Sequence, residues 1–307
     1  MARAFIVWPM DRAVPQGRGP AGPARVAEVE LREISAMAEL RPLEAMQREV
    51  WGVEDVEVVP ASAMRAAVHA GGMVVGAYSG GDVVGFAFGF VATPHGRGMQ
   101  GVGLHSHMAA VLPEFRGAGV GRRLKRFQAS WCAARGLRWI SWTFDPLRRE
   151  NAPFNLAVLG ARCYEYLHDF YGPMPGTLGG GIESDRLLAV WDVTAQARQE
   201  AGAGDGGPRA PGRTDREGDL DEQAVWLLPP GETPAVPSAA EVDRAIAGVG
   251  RPRVATPDPA HDVFSHAERA EAWRAAHRAT LARALERGWA VVGFEGAGYV
   301  LERTEGA

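Results

Sequence analysis

Cysteine is scarce in this 307-residue chain, which contains only Cys132 and Cys163. Both lie among apolar residues, without the paired spacing of zinc ligands. A disulfide framework or a structural zinc site is therefore not expected. A reducing compartment, the cytoplasm, fits this composition best.

Long apolar runs and a surplus of positive charge are also missing. The longest apolar run, residues 83–93, is too short to cross a bilayer, and residues 1–9 lack the features of a signal peptide. The formal net charge is −4, whereas a general nucleic-acid binder normally carries a basic surplus. We therefore expect a soluble protein with neither a membrane nor a nucleic acid as partner.

Composition divides the chain into four parts. Residues 1–24 are rich in Gly, Pro and Arg without a period and are predicted to be a flexible leader. Residues 25–193 alternate strand and helix patterns, residues 194–218 have the composition of a flexible linker, and residues 219–307 contain one helical stripe and about three short strands. The last part has a small core, so we expect it to dock onto the first domain.

One stretch, residues 104–136, organises the first domain. It is predicted to form an apolar strand, a glycine-rich turn and then an amphipathic helix. Glycines at the start of a helix let its backbone N–H groups approach an anion, and the helix dipole adds partial positive charge. The turn therefore predicts a pyrophosphate site.

The spacing in this turn excludes two nucleotide motifs. It supplies neither the G-x-G-x-x-G dinucleotide fingerprint nor the Gly-Lys-Ser/Thr phosphate loop. It instead reads V-x-P-x-x-R-G-x-G-x-G from Val111 to Gly121, which resembles the acyl-CoA signature of the GNAT N-acyltransferase superfamily. The order of predicted elements over residues 27–193 is similar as well.

The resemblance implies a fold and a cofactor. The fold is a mixed α/β (α+β) GNAT-like structure: a mostly antiparallel sheet of about six to seven strands flanked by helices, here with a small C-terminal helix-plus-strands extension. The donor is acyl-CoA, with acetyl or succinyl as the acyl group and no metal. The backbone of Ala109, Ala110 and Val111 is implied to pair with the pantetheine arm. The remaining CoA-binding residues implied by the resemblance are Arg116, Gly117, Ala118, Gly119, Val120, Gly121, Arg122, Arg123, Asn151 and Asn155.

Two histidines on the central strand are the candidate bases. His105 and His107 are two residues apart and therefore project to the same face. In the family this strand often carries the base, and the matching position is His105. Alternatively, one or both histidines only line the cleft or make structural hydrogen bonds. A His-x-His zinc site lacks an indicated third ligand.

The residue that would protonate the thiolate of CoA, the leaving group of the reaction, is less well defined. The family's tyrosine on the helix after the fifth strand is replaced by Leu156 here. Tyr164 is the candidate catalytic residue in its place, with Tyr166 and Tyr171 as alternatives, or the thiolate leaves without help. Asn151 is equally suited to be a helix cap.

These features predict an enzyme, an acyl-CoA-dependent N-acyltransferase. It would acylate a primary amine, the α-amino group of an amino acid above all, and the long C-terminal extension resembles a GNAT subgroup that N-acylates amino acids. Arg97, Arg148 and Arg149 are candidates for binding a carboxylate or are surface arginines. The alternatives are a non-catalytic acyl-CoA-binding module and a protein or peptide N-acetyltransferase. The sequence leaves open whether the protein forms a homodimer.

Overall fold

A computed structural model describes residues 28–52, 57–173, 181–194, 225–248, 250–258 and 263–304. The predicted leader, residues 1–24, and all but the first residue of the predicted linker lie outside these ranges. The described residues divide into two compact units, one within residues 1–95, 99–142 and 192–197 and the other within residues 96–98, 143–191 and 198–307. Residues 143–191 thus share a unit with the C-terminal residues, and the domain boundaries at 193 and 219 stay a prediction.

The first unit is built on five strands in the order β1-β2-β3-β4-β5. The strands are β1 Glu30–Glu33, β2 Met73–Ser79, β3 Asp82–Ala92, β4 Gly103–Val111 and β5 Trp139–Phe144, whose last two residues belong to the second unit. The first four pair antiparallel, and β4 pairs with β5 in parallel. Gly80 and Gly81 join β2 to β3 with positive φ angles of 61° and 90°, which a two-residue β-hairpin loop favours.

The helices of the first unit come before β2 and after β4 in the chain. They are α1 Met37–Leu40, α2 Pro42–Trp51, α3 Ala61–His69 and α4 Val120–Ala134, with a 3-10 turn at Pro113–Phe115. Pro42 stands in the first turn of α2, where its missing N–H is not needed. Leu124, Trp131 and Cys132 form part of the buried face of α4. Of the stripe that the sequence predicts, Leu124 and Trp131 are buried, Phe127 is partly buried and Ala134 is exposed.

The described part of the second unit contains six strands in the order β7-β6-β10-β11-β9-β8. Their bounds are β6 Arg162–Leu167, β7 Arg186–Asp192, β8 Trp226–Leu228, β9 Arg253–Ala255, β10 Trp289–Glu295 and β11 Gly298–Arg303. The pairs are antiparallel except β8 with β9. The predicted fold class, a mixed and mostly antiparallel sheet flanked by helices, is confirmed.

The second unit differs from its prediction in detail. Its helices are the π-helix α5 Pro153–Val158, α6 Ala239–Ala247, α7 Ala267–His277, a π-helical turn Arg278–Ala282 and α8 Arg283–Glu286, with a 3-10 turn at Val263–Ser265. The sequence predicts neither α6 nor β9, because residues 229–260 are rich in proline. A signal for α6 was present, since Ser238 and Glu241 form a capping box. Ser265 and Glu268 also have capping-box spacing, but α7 begins after His266 without a side-chain cap.

None of the helices in the described ranges has the length and apolarity needed to cross a membrane.

Candidate active site

The glycine-rich turn has the backbone that an anion site needs. Gly117 and Gly119 have positive φ angles of 72° and 81°, and no atom lies within 4 Å of where either Cβ would stand. Arg123 N–H donates to Gly119 O at 3.0 Å. The N–H groups of Val120, Gly121 and Arg122 precede it in the first turn of α4 and therefore have no intrahelical acceptor. They are free to bind an external anion.

Arg116 ties the turn to the preceding strand. Its backbone N–H donates to Pro113 O at 3.2 Å, and its Nε donates to Val111 O at 3.2 Å. Burial lowers the pKa of the guanidinium, against the opposing charge of Glu114. The predicted cradle of N–H groups therefore starts after Arg116, whose own N–H is already bonded.

The basic residues of α4 do not form one cluster. Arg122 is partly buried, and Arg123 donates through Nη2 to Val29 O at 2.5 Å. Lys125 is buried: its Nζ donates to Ser106 Oγ at 2.9 Å and lies 4.1 Å from the centre of the Trp142 ring. Burial lowers its pKa to about 7. Lys125 is thus part of the interior of the unit and does not assist an anion at the turn.

Strand β4 brings the two predicted histidines together. The ring centres of His105 and His107 are 6.4 Å apart, and both lie within 6 Å of Phe90, at 5.2 and 5.6 Å. The register between β3 and β4 shifts beside His107, which gives β4 one extra residue there. The short distances among these rings place both histidines on one face of the strand, as their spacing predicted.

The environment keeps both histidines neutral. Burial, followed by the charges of His107, His95 and Lys125, lowers the pKa of His105 to about 3. Burial lowers the pKa of His107 to about 4. His105 Nδ1 lies 2.9 Å from Ser141 Oγ, and Ser141 Oγ lies 3.3 Å from His95 Nε2. A neutral imidazole can accept a proton, but these values require a strongly acidic donor.

The far end of β4 has one paired and one open edge. Ala109, Ala110 and Val111 pair with Ala87, Phe86 and Gly85 of β3. On the other edge, β5 pairs only with Leu104 and His105 among the residues that the structure describes. The segment 109–111 therefore has an edge at which an extended ligand could add as a strand does.

Comparison with known proteins identifies the segment that contains this turn. Residues 33–154 match the sequence profile of the acetyltransferase (GNAT) family. This segment belongs to the GNAT family. No curated protein sequence is significantly similar to the chain.

Solved GNAT structures resemble the chain at low identity. YncA of Salmonella typhimurium, in a structure with its cofactor acetyl-CoA, is 14% identical with a TM-score of 0.43, over 54% of this chain and 94% of its own. NAA60 of Arabidopsis thaliana, in complex with acetyl-CoA, is 15% identical with a TM-score of 0.43, over 53% and 99%. The ribosomal-protein-S18-alanine N-acetyltransferase of Escherichia coli is 13% identical with a TM-score of 0.41, over 54% and 94%. Similarities of this size carry no argument about the acceptor.

Three predicted site residues lie in the second unit. Tyr164 is partly buried on β6, and its carbonyl accepts a hydrogen bond from Arg97. Asn151 is buried, and neither its Oδ1 nor its Nδ2 has a hydrogen-bond partner. It is not a cap, since α5 begins after Ala152. Asn155 is buried within α5.

The alternative tyrosines are already engaged. Tyr166 Oη donates to Asp185 Oδ2 at 2.8 Å, and burial with the Asp185 charge raises its pKa well above the ordinary value. Tyr171 Oη lies 3.1 Å from Thr143 Oγ1, and burial raises its pKa too. Leu156, which the sequence resemblance aligns with the GNAT tyrosine, is buried. Tyr164 is the remaining candidate of the three.

The arginines considered for carboxylate binding contact other groups. Arg97 donates to Leu285 O at 2.6 Å, and Arg149 donates to Gly296 O at 2.6 Å. Arg148 lies 3.7 Å from Glu150 and stacks on Phe264 at 4.5 Å. These contacts favour a structural role for all three. The described part of the chain contains no group of three or more His, Cys, Asp or Glu side chains arranged to hold a metal ion.

Proposed function

We propose that the protein is an acyl-CoA-dependent N-acyltransferase that transfers an acetyl or succinyl group to a primary amine, above all the α-amino group of an amino acid. The observation that carries the proposal is the turn from Arg116 to Gly121, which lies inside the GNAT-family segment and ends in unpaired helix N–H groups. The donor supplies an activated thioester, and the chain supplies its binding site and a base.

The turn fits a pyrophosphate. Open space beside Gly117 and Gly119 lets an anion reach the N–H groups of Val120, Gly121 and Arg122. Hydrogen bonds to a charged acceptor contribute roughly 1.5–3 kcal/mol each, so a few of them suffice to hold it without a lysine. The open edge at residues 109–111 fits an amide-bearing arm. The orphaned amide of Asn151 is a further candidate partner for a polar ligand.

The low pKa of His105 limits what it can do and thereby favours one class of acceptor. At pH 7 an α-amine with a pKa near 8 costs about 1 kcal/mol to deprotonate, whereas a lysine-like amine near 10.4 costs about 4–5 kcal/mol. A histidine with a pKa of about 3 is too weak a base to remove the proton of an ammonium group. It can take the proton after the nitrogen has bonded to the carbonyl carbon, when that proton is far more acidic. An amine that is already largely neutral is therefore the better acceptor.

Position 156 holds a leucine, so it offers no tyrosine hydroxyl that could protonate the leaving thiolate. Tyr164 is the proposed acid, and a thiolate with a pKa near 8.5 also leaves with little assistance. Because the usual acid is absent, the second candidate function is an acyl-CoA-binding module without turnover.

One experiment separates these functions. Purified protein is incubated with acetyl-CoA or succinyl-CoA and pooled amino acids, and products are identified by mass spectrometry while thiol release is followed. We expect an N-acyl amino acid and thiol release that depends on the acceptor. CoA binding by calorimetry without any product would favour the binding module. Acylation of peptides but not of free amino acids would favour a protein N-acetyltransferase.

A further inference from the structure

A hydroxyl group links two imidazoles in the first unit. Ser141 Oγ lies 2.9 Å from His105 Nδ1 and 3.3 Å from His95 Nε2. The parallel pairing of β4 with β5 places Ser141 directly opposite His105. Ser141 is fully buried, His105 is partly buried and His95 is exposed. The three side chains form a hydrogen-bonded chain from the surface to the candidate base.

The carbonyl of Thr93 gives this chain a direction. His95 Nδ1 lies 3.0 Å from Thr93 O, which can only accept, so Nδ1 carries the proton. In a neutral His95 the other nitrogen, Nε2, is then an acceptor. The Ser141 hydroxyl donates to it, and the Ser141 oxygen accepts from His105 Nδ1–H.

The opposite arrangement leaves an acceptor without a donor. With the proton of His105 on Nε2, both Nδ1 of His105 and Nε2 of His95 would be acceptors facing Ser141. A hydroxyl has one proton and can satisfy only one of them. The opposite arrangement makes one hydrogen bond among these three side chains and the first makes two, so the first arrangement is preferred.

We propose that His95 and Ser141 are positioning residues that hold His105 in its Nδ1–H tautomer and thereby leave its Nε2 lone pair for the proton of the acceptor amine. In the transfer step the N–H bond of the attacking nitrogen breaks and a bond to His105 Nε2 forms. The resulting imidazolium keeps its Nδ1–H bond to Ser141. The role of His105 as base rests on the proposed function, whereas its tautomer does not depend on it.

The tautomer is measurable without any activity. The chain has 8 histidines, so nitrogen-15 NMR of histidine-labelled protein resolves them, and the spectrum of His105→Gln assigns His105. At pH 8.5, above the ordinary histidine pKa, we expect the Nδ1–H form in the wild type. Ser141→Ala and His95→Ala should move His105 towards the Nε2–H form. His95→Gln is the matched control, because its Oε1 can take the acceptor place of Nε2 and keep the wild-type tautomer.

Kinetics then test the consequence. With the acceptor amine that the product assay identifies, His95→Ala should lower kcat roughly tenfold and leave KM unchanged. This loss lies within the roughly 100-fold or more that general base catalysis contributes. His95→Gln should retain most of kcat. Because His95 is exposed, this pair serves even where Ser141→Ala fails to fold. The Nε2–H form in the wild type, or a tautomer indifferent to His95→Ala, would overturn the inference. The expected tautomers without acyl transfer to any amine would leave the inference standing and refute the proposed function.

Discussion

Arg274 and Asp145 form a bidentate ion pair across 129 residues of sequence: Nη1 donates to Oδ1 at 2.7 Å and Nη2 donates to Oδ2 at 2.9 Å. Both side chains are at most 5% exposed. One helical turn later, Arg278 makes the same kind of pair with Asp185, at 2.7 and 2.6 Å. The C-terminal helices are thus joined to the loops around β5 and β7 by charge pairs within one unit.

Breaking the Arg274 pair should destabilise the second unit strongly. Arg274→Ala leaves the buried Asp145 carboxylate with the more distant Arg186, whose Nη1 lies 3.4 Å from Oδ2. Loss of one partner of a buried pair costs about 3–5 kcal/mol. Urea unfolding measures the change. The control is Arg287→Ala, whose pair with Asp243 is half exposed, and it should leave the free energy of unfolding almost unchanged. Equal effects of both variants would contradict the importance of the buried pair.

The same pair predicts a dependence of stability on acid. Burial alone raises the pKa of Asp145, but the charge and hydrogen bonds of Arg274, with Arg186 and Arg148, hold it well below the ordinary range. The carboxylate therefore stabilises the folded state above the unfolded pKa of about 3.9, and this stabilisation is lost as pH falls towards the folded value. Unfolding measured from pH 6 downwards should show the loss. Asp145→Asn should lower stability at pH 6 and flatten the slope.

Lys125 predicts a slope of the same sign in a higher pH range. Its folded pKa of about 7 lies below the ordinary lysine value of 10.5, so the unfolded chain binds more protons between these values. Stability therefore rises with pH across this interval. Lys125→Met should remove that rise and stabilise the protein at pH 6, where burial of the charge is costly. A wild-type curve parallel to that of the variant would contradict a neutralised lysine.

Substitution of two glycines at opposite ends of α4 distinguishes an effect on CoA binding from an effect of backbone strain. Gly119→Ala and Gly136→Ala each place a Cβ at a positive φ, 81° and 70°, with open space around it, and each should cost about 1–2 kcal/mol. Only Gly119 adjoins the proposed pyrophosphate site. Calorimetry with CoA should show weaker binding for Gly119→Ala and unchanged binding for Gly136→Ala. Equal binding by both variants would remove the turn as the anion site.

The two histidines of β4 should differ in their effect on turnover. His105→Gln removes the proposed base and should lower kcat by about 100-fold or more. His107→Gln should act less, since the contacts shown for His107 are with the rings of Phe88, Phe90 and His105. Steady-state rates with the amine acceptor measure both. A larger loss for His107→Gln would reassign the base.

Local patterns determined much of the fold. The period of α4, the hairpin at Gly80 and Gly81 and the spacing from Val111 to Gly121 depend on neighbouring residues, so the sequence predicts them correctly. The same holds for the shared face of His105 and His107, because strand side chains alternate. In the segment before β9, frequent prolines conflict with the capping box of Ser238 and Glu241, so the sequence does not predict α6.

The partners of side chains were decided only by tertiary structure. Lys125 stands beside three arginines in the sequence, yet its position on α4 turns it inward against Ser106 and Trp142. Arg274 shows no sequence signal that it meets Asp145, and Ser141 none that it joins His95 to His105. Backbone conformation follows from short-range sterics and hydrogen bonds, so the sequence by itself determined the strand, turn and helix of the candidate anion site. Charge pairing and proton placement depend on which distant elements pack together and exclude water, and that was settled only when the chain folded.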